Sequence, residues 1–129
     1  WSPDAKTIVL AHVRSPSPDD WPTADLSFVD VATGEVKTLA STSAAESSPL
    51  YSPDGKSIAF TASDDPPKWA GARRLRVVSA NGGTPRDLSA TRDGFGRYSD
   101  LVGWSADGNS LYFTEIHGTK MKLMSLPLQ

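Results

Sequence analysis

The chain has 129 residues, of which 38% are hydrophobic and 22% charged, with a formal net charge of -2; that is room and composition for one soluble domain with a real core. The charge balance argues against a protein built to neutralise a phosphate backbone, and no apolar run approaches the roughly 20 residues of a membrane helix, so neither nucleic acid nor a membrane span is expected. The absence of cysteine removes disulfides, thiolate metal sites and cysteine nucleophiles.

From Trp1 the segment WSPDAKTIVL joins a Pro-Asp pair to an apolar stretch. Proline presets the φ of a turn's second position and aspartate bonds nearby amides, so a turn at Pro3-Asp4-Ala5 is expected to feed a strand over residues 7–12. Ala5 stands where a bulged hairpin favours a left-handed glycine; the roughly 1 kcal/mol cost predicts a strained or differently shaped turn. A loop over 14–23 carrying Trp21 follows, then strands over 26–30 and 35–39 joined at Thr33-Gly34.

The same text returns 50 residues on as YSPDGKSIAF from Tyr51. Residues 49–52 read as extended and Pro53-Asp54-Gly55 as the turn. In the strand over 56–62, Ile58 and Phe60 face one way and Ala59 the other, a period of two. A second loop over 64–73 carries Trp69, and a strand over 74–79 ends at the hairpin signal Asn81-Gly82-Gly83. Pro85 tolerates only an edge strand, over 85–88. After a loop over 93–99 with Phe95, WSADGNSLYF begins at Trp104, 53 residues after Tyr51. Strands are expected over 101–105, 110–115 and 120–126, around the turn Ala106-Asp107-Gly108.

Repeats of about 50 residues are one supersecondary unit used again. A four-stranded unit with apolar side chains on both faces needs neighbours on both sides, which radial stacking supplies. The expected fold is therefore all-β: a partial β-propeller of about two and a half four-stranded antiparallel blades within a single domain, 1–129. Blade 1 covers about 1–40 without most of its inner strand, blade 2 about 46–89, and blade 3 about 98–129 without its outer strand. So few blades cannot close a ring. The piece is expected to be an arc of a larger propeller, with unpaired edges that favour a homo-oligomer, head to tail.

The structural motif residues are Trp1, Asp4, Tyr51, Asp54, Gly55, Trp104, Asp107 and Gly108, with the aromatics packing blade against blade and the aspartates forming turns. No G-x-S-x-G nucleophile elbow occurs, so no catalytic residue is expected. Ser52 and Ser105 read as turn or strand-end residues, and His12 and His117 lie at strand ends. Glu115 and His117 could share a side of a strand, but a solvated strand end beside Gly118 is the expectation, since a metal site needs more ligands. The acidic doublets Asp19-Asp20 and Asp64-Asp65 are expected in solvent, and Arg76 to pair across blades. Phosphate and dinucleotide fingerprints are absent, and no cofactor is expected. The strongest candidates for function are the loops with Trp21 and Trp69, which should emerge on one end of the propeller, together with Phe95; loops on a rigid scaffold commonly carry recognition.

The three W/Y-S-P/A-D copies, with LRVVSANGGTPRDL between the second and third, resemble the repeats of TolB-like propellers. The third unit, GWSADGNSLYFTEIHGTKMKLMSLPL, and the long loops VRSPSPDDWPTAD and TASDDPPKWAGARR are more similar to the N-terminal propeller of prolyl-oligopeptidase-family serine peptidases of the dipeptidyl and acylaminoacyl peptidase kind. That resemblance implies a non-catalytic module that gates peptide substrates and contacts an α/β-hydrolase domain and the missing blades. The TolB-like alternative implies a periplasmic protein-binding scaffold. Between them, a bacterial cytoplasm or periplasm is implied.

Overall fold

The computed structural model describes residues 1–40, 42–69, 71–88 and 100–128. Among these, ten strands form three antiparallel meanders. The first sheet is β1 (Thr7–His12), β2 (Asp25–Asp30) and β3 (Val36–Ala40); the second is β4 (Glu46–Tyr51), β5 (Ser57–Ser63), β6 (Arg73–Ser79) and the two-residue β7 (Arg86–Asp87); the third is β8 (Leu101–Trp104), β9 (Ser110–His117) and β10 (Lys120–Pro127). The sheets do not close on themselves. A 3-10 helix, Pro18–Thr23, occupies the first long loop.

Each motif copy builds the same turn from the same side chains. The Ser52 hydroxyl donates to Asp54 Oδ1 at 2.6 Å, that oxygen accepts the Lys56 amide at 3.0 Å, and Ser52 Oγ accepts the Ser57 amide at 2.9 Å. Ser2 and Asp4 repeat this with Lys6 and Thr7, and Ser105 and Asp107 with Asn109 and Ser110. The serines thus do more than end strands: each joins both sides of its turn. Ala5 does not reshape its turn. Its φ of 59° matches the 72° of Gly55 and Gly108, so the first turn keeps the shape and carries the strain. The turns also stack in series: a Cβ on Gly55 would lie 3.3 Å from Pro3, and one on Gly108 3.9 Å from Pro53.

Period-two alternation assigns β5 to two cores. Ile58, Phe60 and Ala62 face the first sheet and pack with Val9, Leu26, Leu39, Ala44 and Val78. Ala59 faces the third sheet and packs with Leu75, Leu88, Leu101, Leu111 and Phe113. The middle sheet is therefore covered on both faces. β4 starts earlier than expected, at Glu46, because a register shift between Ser47 and Leu50, with Ser48 at a φ of 54°, lets the strand pair on past Pro49.

Candidate functional site

Two of the three motif aromatics bridge sheets. Trp104 donates its indole N–H to the Leu50 carbonyl of the second sheet at 3.1 Å. Tyr51 stacks on Phe28 of the first sheet, with ring centroids 6.3 Å apart. Trp1 stays 69% exposed. Asp4, Asp54 and Asp107 lie in the turns, and their carboxyls are held below the usual range, first by the serine hydroxyl and then by the backbone amide two residues on.

The two long loops meet. β1 and β2 hold the ends of one, β5 and β6 the ends of the other, and Trp21 and Trp69 come into edge-to-face contact with centroids 5.8 Å apart. Beneath them Ser63, Lys68, Gly71 and Arg73 complete a pocket of about 320 Å³. Trp21 is half-buried while Trp69 is 85% exposed. The first loop is pinned by Asp20, which accepts from the Arg14 guanidinium and the Ser15 hydroxyl, while Thr23 Oγ1 donates to the Asp20 carbonyl at 2.7 Å. These donors hold the Asp20 carboxyl below its ordinary value, the serine contact being the larger cause. In the second loop the Gly71 amide donates to the Lys68 carbonyl at 3.0 Å, and a Cβ at Gly71 would collide with Asp64 at 2.7 Å. Arg73 donates to the Ser47 and Thr61 hydroxyls, which fix its guanidinium at the pocket floor. Phe95, the third loop candidate, lies outside the described residues.

Several side chains depart from the sequence reading. Asp20 is only 7% exposed rather than solvated, because the 3-10 helix turns it back onto Arg14 and Ser15. Arg76 pairs within its own sheet, with Nε 2.6 Å from Asp87, since the β6–β7 register sets the two opposite each other. Glu115 is 2% exposed rather than at a solvated strand end, because β9 continues to His117. His117 Nε2 lies 2.6 Å from Glu115 Oε2. His12 Nε2 lies 2.9 Å from Ser27 Oγ, a contact across 15 residues of sequence that the β1–β2 register creates. Ser27 is buried within the sheet, and among the described residues no carboxylate bonds to this histidine. No three His, Cys, Asp or Glu side chains converge as a metal cluster among the described residues.

Sequence reasoning missed Arg73 and Lys68 as pocket residues, because nothing local marks which of the nearby cations line a pocket. It also passed over Glu46, which is fully buried: Thr42 donates to Oε1 at 2.8 Å and Oε2 has no hydrogen-bond partner. Burial, reinforced by the Asp25 charge, pushes its carboxyl above the ordinary value.

No protein-family profile matches the chain. Solved structures do. A TolB-type structure from Agrobacterium tumefaciens superposes with a TM-score of 0.75 at 20% identity, covering 99% of this chain and 44% of that one. The fold is β-propeller-like. TolB from Acinetobacter baumannii matches with a TM-score of 0.72 at 22% identity, covering 99% of this chain and 28% of that one. In sequence the chain is similar to dipeptidyl-peptidase 5 of Trichophyton equinum, 36% identical over 84 residues, and to that of Arthroderma benhamiae, 34% identical over 84 residues. Each match takes in 64% of this chain and 11% of the relative, so the chain spans about one ninth of the length of the curated relatives it matches. Both resemblances read from the motifs, to TolB propellers and to a prolyl-oligopeptidase-family peptidase, are thus found. The curated relatives are fungal.

Proposed function

We propose that this chain is part of a propeller module of a serine peptidase of the prolyl-oligopeptidase kind, of about two and a half blades, which restricts the peptides that reach a separate α/β-hydrolase domain. The observation that carries this reading is the 36% identity over 84 residues with a dipeptidyl-peptidase. The long loops add to it: they set two tryptophans side by side on a rigid scaffold, where recognition surfaces commonly lie. On this reading the chain's own residues supply no nucleophile, and its partners are further blades and the hydrolase domain. A second reading, a TolB-like protein-binding scaffold, draws on the likeness in fold over 99% of the chain.

A peptidase assay on the full-length gene product, with dipeptidyl reporter substrates, separates the two. Hydrolysis that is lost on replacing a serine downstream of Gln129 is the expected outcome. A full-length product with no nucleophile elbow and no hydrolysis would overturn the peptidase reading in favour of the scaffold.

A further inference from the structure

The pocket under Trp21 and Trp69 has a composition that selects a ligand. Its walls are two indoles in edge-to-face contact, and among the described residues its charged lining is Lys68 and Arg73. Four cations elsewhere are matched, Arg14 by Asp20, Lys37 by Glu35, Lys56 by Asp54 and Arg76 by Asp87, while Lys6, Arg74, Arg86, Lys120 and Lys122 form no ion pair among the described residues and do not line this pocket. Arg73 and Lys68 form no ion pair among the described residues, although Asp64 lies close by against Gly71. Arg73 is instead gripped through one nitrogen by neutral hydroxyls, those of Ser47 and Thr61. Guanidinium has five N–H donors in a fixed fork, so such an anchor leaves donors to offer a carboxylate. Trp69 meanwhile presents an aromatic face that nothing in its own loop covers. Aromatic surface of this kind, beside a cation, marks binding sites more often than ordinary surface.

We infer that this pocket binds a peptide carboxylate carried next to an aromatic side chain, the ring packing on the exposed face of Trp69 beside Trp21 and the carboxylate meeting Arg73 and Lys68. The carboxylate has two possible sources, a peptide C-terminus or an acidic side chain beside an aromatic residue. This deepens the proposed function by naming a recognition chemistry for the two loops. It is read by binding alone, so a protein without peptidase activity can still pass or fail the test.

The experiment follows the indole N–H signals of Trp21 and Trp69 in the intact, isotope-labelled protein, assigned with Trp21→Phe and Trp69→Phe. The probes are N-acetyl-phenylalanine, its uncharged amide, and N-acetyl-Phe-Asp-amide. A ligand of this size is expected to bind at about millimolar strength and to shift both indoles. Converting the acid to the amide, or Arg73 to Gln, should weaken binding about tenfold, while Arg73→Lys, which keeps the charge but not the fork, should weaken it about threefold. Lys68→Gln and Trp69→Ala, both at exposed positions, should weaken it several-fold and serve if Arg73→Gln does not fold. Tighter binding of N-acetyl-phenylalanine assigns a C-terminus, and of the Asp-amide an acidic side chain. Binding of the uncharged amide as tight as that of both carboxylate probes, unmoved Trp21 and Trp69 signals, or undiminished affinity in Lys68→Gln and Trp69→Ala would overturn the inference.

Discussion

β5 and β9 carry nearly the same text, S-I-A-F-T against S-L-Y-F-T, and meet different surroundings. In β5 every residue from Ile58 to Ser63 is buried, because sheets cover both faces of the strand. In β9 burial alternates: Leu111, Phe113 and Glu115 face the second sheet, while Tyr112 is exposed. On that outward side Val102, Met121 and Leu123 are exposed as well, with Met121 and Leu123 set opposite Ile116 and Thr114 by the β9–β10 register. The pattern of a strand therefore fixes which residues share a face, and neighbouring sheets decide whether that face is a core. A contiguous apolar side of this kind is ordinarily an interface, which accords with the proposal that further blades continue the stack.

The largest effect that can break the comparison comes from one aromatic residue of each strand. Phe60→Ala opens a cavity in a fully packed core and should cost about 3–5 kcal/mol in denaturant unfolding. Tyr112→Ala should cost less than about 1 kcal/mol, because its ring is only partly covered. If Tyr112→Ala costs as much as Phe60→Ala, the outward face is covered in solution, and sedimentation of the wild-type chain should then show self-association.

The comparison also marks how much the sequence carried. Turns were legible because Pro, Asp and Gly act locally, and the strands followed from their period of two; those expected over 7–12, 56–62 and 110–115 all emerged within a residue of their expected starts. Side-chain fates that depend on register or on loop path were not. Asp20 looked like any surface acid until the 3-10 helix folded it under Arg14 and Ser15. Arg73 looked like one of several arginines until β4, β5 and β6 aligned it with Ser47 and Thr61. The tryptophans of the two loops were legible as candidates by matched position, but their contact was not, because the loop paths are set by packing that no local pattern encodes.

A smaller contrast lies among the three turns, equal in shape but not in residue. Ala5 holds a left-handed φ that glycine would adopt freely, so Ala5→Gly should stabilise the protein by about 1 kcal/mol, less the added freedom of the unfolded chain. Gly55→Ala and Gly108→Ala should each destabilise it by about 1 kcal/mol, with Gly55→Ala the worse because Pro3 stands 3.3 Å from the new Cβ. Thermal unfolding of the three variants in parallel reads the order directly. Equal costs at Gly55 and Gly108 would show that Pro3 yields and that turn stacking contributes nothing.

The smallest expected effects are those of pH, and here the turns oppose the interior. Asp4, Asp54 and Asp107 have folded-state carboxyls below the ordinary 3.8, so the unfolded chain binds protons before the folded one does. Their stabilisation is complete above that value and is lost as pH falls through the lower folded values; Asp20 and Asp30 act with the same sign. Glu46 is the reverse. Its folded value lies above the ordinary 4.5, so the folded protein takes up the proton first and gains stability as pH falls through that raised value toward 4.5. Stability followed by denaturant unfolding should therefore rise modestly on mild acidification and then decline below about 3.8. Glu46→Gln keeps an acceptor for Thr42 and carries no charge, so it should flatten the upper limb alone. Asp54→Asn combined with Asp107→Asn should weaken the acid limb and leave the upper one in place. If Glu46→Gln leaves the profile unchanged, its carboxylate is hydrated in solution, and the seam between the first and second sheets is more open there than the cores on either side of β5.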